Sequence, residues 1–201
     1  MESNKMERVI IDSLEESARV KQEMARGMAN KIHEVSLVLV DVFKAGGKVV
    51  LFGNGGSAAD AQHIAAELLG RFQMERPSLP ALALTTNTSV LTALGNDYDI
   101  NAIFTKQVEA MVQLGDAVIA ISTSGNSPNV VQALKLAKTK GAKTIGLCGK
   151  GGGQLAKLVD YALAVPSRET PRIQEAHITI GHIICDLVER ELFGSNCPSE
   201  H

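Results

Sequence analysis

Residues 49–58 read VVLFGNGGSA, and this stretch decides the fold of the chain. Four apolar residues typical of a β-strand lead into a glycine-rich turn, and a helical pattern follows from Ser57. The first N–H groups of such a helix have no partner inside it and carry the positive end of the helix dipole. Glycine also lets the backbone approach a ligand closely. The stretch therefore predicts a strand, a helix and, between them, a phosphate-binding loop at residues 53–57.

Residues 117–127 read AVIAISTSGNS and repeat this arrangement. The hydroxyls between Ser122 and Ser127 can donate hydrogen bonds to phosphate oxygens. Either loop alone is equally well explained as a turn with a capping serine. Two loops that follow two parallel strands are expected to meet in one crevice, because the carboxyl ends of such strands lie at the same edge of the sheet. Together they predict one site for a phosphorylated ligand.

Strand and helix patterns alternate along the rest of the chain. Helical spacing over residues 2–45 predicts two N-terminal helices, which Gly46 and Gly47 terminate. Predicted strands cover 48–52, 81–84, 117–121, 144–147 and 161–165, and predicted helices cover 57–71, 89–94, 128–140, 154–158 and 172–192. Apolar strands separated by helices indicate an α/β fold, a doubly wound, five-stranded parallel sheet of the flavodoxin-like kind with an N-terminal helical pair. We expect a single domain over residues 1–201, with helices at 1–45, the core and last helix at 46–193, and a polar, frayed tail at 194–201.

Composition excludes several classes of protein. The formal net charge of −2 and the lack of a basic stripe argue against a nucleic-acid partner. The charged start and the lack of a long apolar segment argue against a membrane partner, and we expect a cytoplasmic protein. Cys148, Cys185 and Cys197 show no metal-binding spacing and are expected to be buried thiols or bystanders.

Gly53, Gly55 and Ala58 satisfy the loose dinucleotide pattern G-x-G-x-x-G/A, which is an argument for a nucleotide cofactor. That fold requires an acidic residue at the end of the second strand to bind the ribose. Here the second strand ends Leu84-Thr85-Thr86-Asn87, without a carboxylate. The G-x-x-x-x-G-K-[ST] pattern of a P-loop is also missing. The loops therefore favour a phosphorylated ligand that is not a nucleotide.

Three side chains could carry chemistry beside these loops. His63 and Glu67 are four residues apart on one helix and lie on one face of it, as in half of a metal site or an acid/base pair. His182 on the last helix is the natural partner. Gln174 offers a further oxygen, but about 12 Å of straight helix separates it from His182, so it must reach or come from another chain. His177 is more simply explained as a core or interface histidine whose hydrogen bonds are satisfied.

Four motifs together resemble the sugar isomerase (SIS) domain of the phosphoheptose isomerase family, over nearly the whole chain. They are GNGGSAADAQHIAAE at 53–67, GND at 95–97, STSGNS at 122–127, and RIQE at 172–175 followed by His182. The resemblance implies an aldose–ketose isomerase that converts sedoheptulose 7-phosphate to D-glycero-D-manno-heptose 7-phosphate through an enediol(ate). That reaction is the first step of nucleotide-activated heptose synthesis, for lipopolysaccharide or another polymer.

The resemblance also implies residue roles. Substrate and phosphate contacts would come from Asn54, Gly55, Gly56, Ser57, Glu67, Arg71, Asn96, Asp97, Ser122, Thr123, Ser124, Ser127 and Gln174. Glu67 and His182 would be the catalytic acid/base residues. His63, Glu67, Gln174 and His182 would hold one divalent ion, expected to be zinc, although these ligand types also suit other metals. The family implies a homotetramer with active sites between subunits.

Two alternatives stay open from the sequence. A related SIS protein is a non-catalytic tetramer that associates with the bacterial replication initiator, and it shares a stretch like Glu75–Pro80. That relative lacks the residues that stand here as Glu67 and His182, so their presence favours an enzyme. Isomerases of arabinose 5-phosphate are a further possibility, but they usually carry regulatory domains for which this chain is too short.

Overall fold

The computed structural model describes residues 2–194, with side chains from residue 4 onwards. The predicted tail lies outside the described residues apart from Gly194, and so does Cys197. The elements in chain order are α1 (Glu2–Gly27), α2 (Ala29–Lys44), β1 (Val49–Gly53), α3 (Gly56–Leu69), β2 (Ala81–Ala83), α4 (Thr88–Asp97), α5 (Ala102–Met111), β3 (Ala117–Ser122), α6 (Pro128–Thr139), β4 (Lys143–Cys148), α7 (Leu155–Leu158), β5 (Tyr161–Ala164) and α8 (Thr170–Phe193). Within this part of the chain, no helix is long and apolar enough to cross a membrane.

The five strands form one parallel sheet in the order β2-β1-β3-β4-β5, which confirms the predicted fold class. Every residue of β1 and β3 is buried, and this explains their uninterrupted apolar sequences. The chain passes from β1 to β2 on one side and then returns to β3 on the other. The loops after β1 and β3 therefore lie at the switch point, where parallel α/β sheets bind their ligands.

Helices cover both faces of the sheet. One apolar core contains residues of α1, α2, α3 and α8, and the other contains residues of α5, α6 and α7 with partly buried leucines of α4. No helix or strand is predicted over 102–111 from the sequence, and that prediction is wrong, because α5 occupies the segment. The ring of Phe104 on α5 stacks on that of Phe52 at 5.2 Å, which fastens this helix to the sheet.

Helices α3 and α8 run in the same direction and pack closely. A Cβ at Gly56 would lie 2.2 Å from Nε2 of Gln174, and one at Gly181 would lie 2.6 Å from Cδ1 of Ile64. Their first turns are therefore neighbours, and so are their middles. This alignment places His63 of α3 beside His182 of α8, although the two residues are 119 positions apart in the sequence.

Candidate active site

The first predicted phosphate loop, residues 53–57, joins the end of β1 to the start of α3. Gly55 has φ +55°, a conformation that favours glycine, and it occupies the cap position of α3. Asn54, Gly55 and Gly56 are exposed, whereas Ser57 is buried. The exposed backbone at the positive end of the helix can therefore receive an anion.

The second predicted phosphate loop, residues 122–127, joins β3 to α6 and forms a hydroxyl cluster. The buried Ser122 Oγ lies 3.0 Å from Ser127 Oγ and 3.5 Å from Ser124 Oγ. Thr123 completes the turn and accepts a hydrogen bond from the backbone of Gly149. Gly125 has φ +65°, and a Cβ there would lie 2.1 Å from the carbonyl oxygen of Gly152. A further glycine-rich segment at 149–153 thus packs closely against this loop.

An amide pair connects the two loops. Asn54 of the first loop donates to Asn129 Oδ1 at 2.9 Å, and Asn129 returns a hydrogen bond to Asn54 Oδ1 at 3.0 Å. Asn129 is the second residue of α6 and is buried. Sequence reasoning missed it, because no pattern links residues 75 positions apart. The two loops therefore form one unit.

His63, Glu67 and His182 come together beyond the first loop. Nε2 of His63 lies 3.0 Å from Oε1 of Glu67 and 3.0 Å from Nε2 of His182. One ligand atom from each of the three lies within 4.8 Å of the others. The side chain of His63 is 48% exposed and that of Glu67 is 25% exposed, so the cluster is open to a ligand or a second chain.

The donor set of this cluster fits a divalent metal ion. Ligand atoms at zinc distances in a tetrahedral arrangement stand about 3.3 Å apart. The two 3.0 Å separations in the cluster are close to that value. Imidazole nitrogen and carboxylate oxygen are also the ligand types that zinc accepts.

Four other predicted residues lie apart from this cluster. Gln174 packs on Gly56 in its own chain, two turns of α3 before His63. Arg71 follows α3 and pairs with Glu75 at 3.5 Å. Asn96 and Asp97 are exposed at the end of α4, where Asn96 donates to Asp97 at 2.9 Å. Among residues 4–194, no hydrogen bond joins Asn96 or Asp97 to either phosphate loop.

Two titratable side chains near the site have altered pKa values. Burial raises the pKa of Asp60, one turn before His63, to about 6, and His63 opposes this shift. Burial lowers the pKa of His177 to about 4, although the nearby backbone of Cys148 acts in the other direction. Neither ring nitrogen of His177 makes a hydrogen bond of ordinary geometry within the described structure. His177 is fully buried, as expected of a core histidine, but its ring nitrogens lack the hydrogen bonds that such a residue is expected to make.

Comparison with known proteins identifies the family. The SIS domain profile matches residues 14–149, which contain both phosphate loops and two of the three cluster residues, His63 and Glu67. Phosphoheptose isomerase from Citrifermentans bemidjiense is 64% identical over 159 residues, covering 79% of this chain and 82% of the relative. The chain belongs to the phosphoheptose isomerase family.

Other members of the phosphoheptose isomerase family match over nearly their full length. The enzyme from Sulfurimonas denitrificans is 54% identical over 191 residues, covering 94% of this chain and 98% of the relative. The solved structure of phosphoheptose isomerase from Neisseria gonorrhoeae superposes with a TM-score of 0.87 at 41% identity, covering 92% of this chain and 98% of that one. These likenesses indicate an isomerase and give no support to the non-catalytic alternative.

Proposed function

We propose that the chain interconverts sedoheptulose 7-phosphate and D-glycero-D-manno-heptose 7-phosphate, with Glu67 and His182 as its acid/base residues. The observation that carries this proposal is the cluster of His63, Glu67 and His182, in which His63 and Glu67 lie on the helix that begins at a phosphate loop. Ser57 and His63 are six residues apart, about 9 Å along α3. An extended seven-carbon sugar phosphate can span that distance, with its phosphate in the loops and carbon 1 at the cluster. The product would enter nucleotide-activated heptose synthesis.

Substrate binding and chemistry occupy different ends of this site. The two phosphate loops hold the end of the sugar that does not react, through backbone N–H groups and serine hydroxyls. That binding energy orients carbon 1 and carbon 2 against the cluster. The amide pair of Asn54 and Asn129 keeps both loops at a fixed separation.

Glu67 and His182 divide the proton transfers. The Glu67 carboxylate removes a proton from carbon 1 of the ketose, an enediolate forms, and the proton returns at carbon 2 to give the aldose. His182 moves the other proton between the oxygens on carbons 1 and 2. His63 lies within 3.0 Å of both side chains and fixes their mutual position.

A zinc ion in this site would be held by His63, Glu67 and His182, with Gln174 contributed by a second copy of the chain. The ion would polarise the carbonyl oxygen and stabilise negative charge on the enediolate. A ligand from another copy is needed because Gln174 packs on Gly56 in its own chain.

We also propose a homotetramer with its active sites between subunits, working in the cytoplasm. Met6, Val9, Ile10 and Leu14 recur at helical spacing on α1 and are 55–67% exposed. A contiguous exposed apolar stripe of this kind is typical of a surface that another chain covers. The cytoplasmic location and the single-domain division stay predictions from the sequence.

The decisive experiment combines metal analysis with an isomerase assay. The purified protein is expected to convert sedoheptulose 7-phosphate, to lose activity with a chelator and to regain it with zinc. Glu67→Gln and His182→Gln should lower kcat at least 100-fold with little change in KM. Glu34→Gln and His33→Gln, exposed on α2, serve as matched controls. Activity that survives both site substitutions would rule out the proposed roles.

A further inference from the structure

A buried ion pair fixes the segment that follows α3. The Glu189 carboxylate on α8 accepts hydrogen bonds from the backbone N–H groups of Phe72, Gln73 and Met74 at 2.7, 2.8 and 3.0 Å. It also accepts from Arg76 Nε at 2.9 Å, and both side chains of this pair are at most 1% exposed. Such a charge is retained in a protein interior only where hydrogen bonds satisfy it. The backbone at Phe72 is therefore held in one place against α8.

Arg76 holds the same segment from its other side. Its guanidinium donates to the carbonyl oxygens of Glu67 and Leu68, both at 2.8 Å, and of Gly70 at 3.2 Å. Carbonyl groups in the last turn of a helix have no partner inside it, and a cation there is favourable. The turn of α3 that carries Glu67 and the backbone of Phe72 are thus joined to one buried pair.

The ring of Phe72 extends from this fixed backbone to His182. The Phe72 and His182 rings are stacked, with centroids 5.4 Å apart and planes inclined by 21°. His63 contacts the same imidazole with its centroid at 5.0 Å and its plane inclined by 58°. The χ2 torsion of a histidine is intrinsically broad, so the imidazole needs neighbours to define its plane. Phe72 supplies a flat face for that purpose.

We propose that Phe72 is a positioning residue for His182, held by the Arg76–Glu189 pair so that the imidazole directs Nε2 towards His63 and Glu67. This inference rests on the proposed function of that cluster. Glu189 lies seven residues after His182, on the same face of α8, so the segment is attached to one helix at two points. Its backbone is attached at Glu189, and its ring is attached at His182.

Substitution of Phe72 tests this role with two separate readouts. Phe72→Leu and Phe72→Ile keep an apolar side chain but remove the flat ring. Both are expected to weaken zinc binding 10- to 100-fold, measured by competition with a chromophoric chelator, as for other residues that orient metal ligands. They should lower kcat by a similar factor and leave KM within twofold. Phe72→Tyr keeps the ring and should retain wild-type zinc affinity and kcat.

Phe43→Leu on α2 is the matched control, because Phe43 is also partly buried against the same core. It is expected to lower the thermal midpoint without changing zinc affinity or kcat. Wild-type zinc affinity in Phe72→Leu, or equal losses in Phe43→Leu, would overturn the proposal. If the protein binds zinc but lacks isomerase activity, the proposed function fails while the zinc titration still decides the role of Phe72. If the wild-type protein binds no zinc, the metal assignment fails, and a kcat for Phe72→Leu equal to that of the wild type would overturn the role of Phe72.

Discussion

Asn54 and Asn129 exchange two amide hydrogen bonds across the switch point of the sheet, at 2.9 and 3.0 Å. Asn129 Oδ1 also accepts from the backbone N–H of Val130 at 2.9 Å, so the amide is fixed at the start of α6. The relative position of the two phosphate loops therefore depends on this pair as well as on the strands beneath them.

Asn129→Ala is expected to raise KM about tenfold and leave kcat within twofold. Loss of the pair removes hydrogen bonds of about 1 kcal/mol each and leaves the loops free to separate. Steady-state kinetics with sedoheptulose 7-phosphate measure the effect. Asn30→Ala, at an exposed position on α2, should change neither parameter. A fall in kcat at constant KM would contradict the role assigned to the pair.

Ser124→Ala should also act on binding. The hydroxyl is exposed in the second phosphate loop, and it accepts a hydrogen bond from the backbone of Asn126 at 3.1 Å. Removing a hydrogen bond to a charged phosphate costs about 1.5–3 kcal/mol, so we expect KM to rise at least tenfold with kcat preserved. Ser78→Ala, at an exposed position between α3 and β2, provides the comparison in the same assay. Equal effects in the two variants would refute a specific phosphate contact.

His177 should make the stability of the fold depend on pH. Burial lowers the pKa of His177 from 6.5 to about 4. Between pH 6.5 and pH 4, the imidazole is therefore protonated in the unfolded chain and neutral in the folded chain. This contribution is fully present above pH 6.5 and falls by on the order of 3 kcal/mol as the pH approaches 4. The raised pKa of Asp60 acts with the opposite sign over part of this range.

The test therefore compares how the free energy of unfolding changes with pH in wild type and in His177→Leu. Urea unfolding of wild type and His177→Leu between pH 4.5 and 7 should give a steeper fall in the free energy of unfolding for wild type. His33→Gln, exposed on α2, should follow the wild-type curve. Parallel curves for wild type and His177→Leu would exclude this linkage.

The two cysteines within the described structure should be unreactive in the native protein. Cys148 and Cys185 are fully buried, as expected, and burial raises the pKa of Cys148 to about 11 and that of Cys185 to about 12. The thiolate is the nucleophilic form, so iodoacetamide at pH 7.5 should leave both unmodified. Mass spectrometry measures this, and both should react in denaturant. Rapid alkylation of either in the folded protein would show that its helix or strand opens readily.

Most of the fold follows from local pattern. The strands β1 and β3 are found within one residue of their predicted ends, because a buried parallel strand is a short apolar run between a polar start and a glycine or serine turn. Helix α5 is different. Its buried side chains are Ile103, Phe104 and Val108, which give too short a stripe to predict a helix. Packing against α6 and Phe52 stabilises it, and such contacts are not visible in a local window.

The candidate site can be predicted from the sequence only in part. The i, i+4 spacing places His63 beside Glu67 by helix geometry alone. The approach of His182 depends on the parallel packing of α3 and α8, which brings together residues 119 positions apart. The same is true of Asn129, Phe72 and Glu189, whose roles arise from tertiary contacts. No periodicity in the sequence reports such a contact.

The parallel packing of α3 and α8 has a consequence for biosynthesis. A nascent chain that has emerged only as far as β5 already contains both phosphate loops and the whole sheet. It has neither His182 nor the Glu189 carboxylate that orders the segment after α3. It also lacks the buried side chains that α8 contributes to the core on one face of the sheet. The His63, Glu67 and His182 cluster is therefore assembled only when α8 has been synthesised and has docked beside α3.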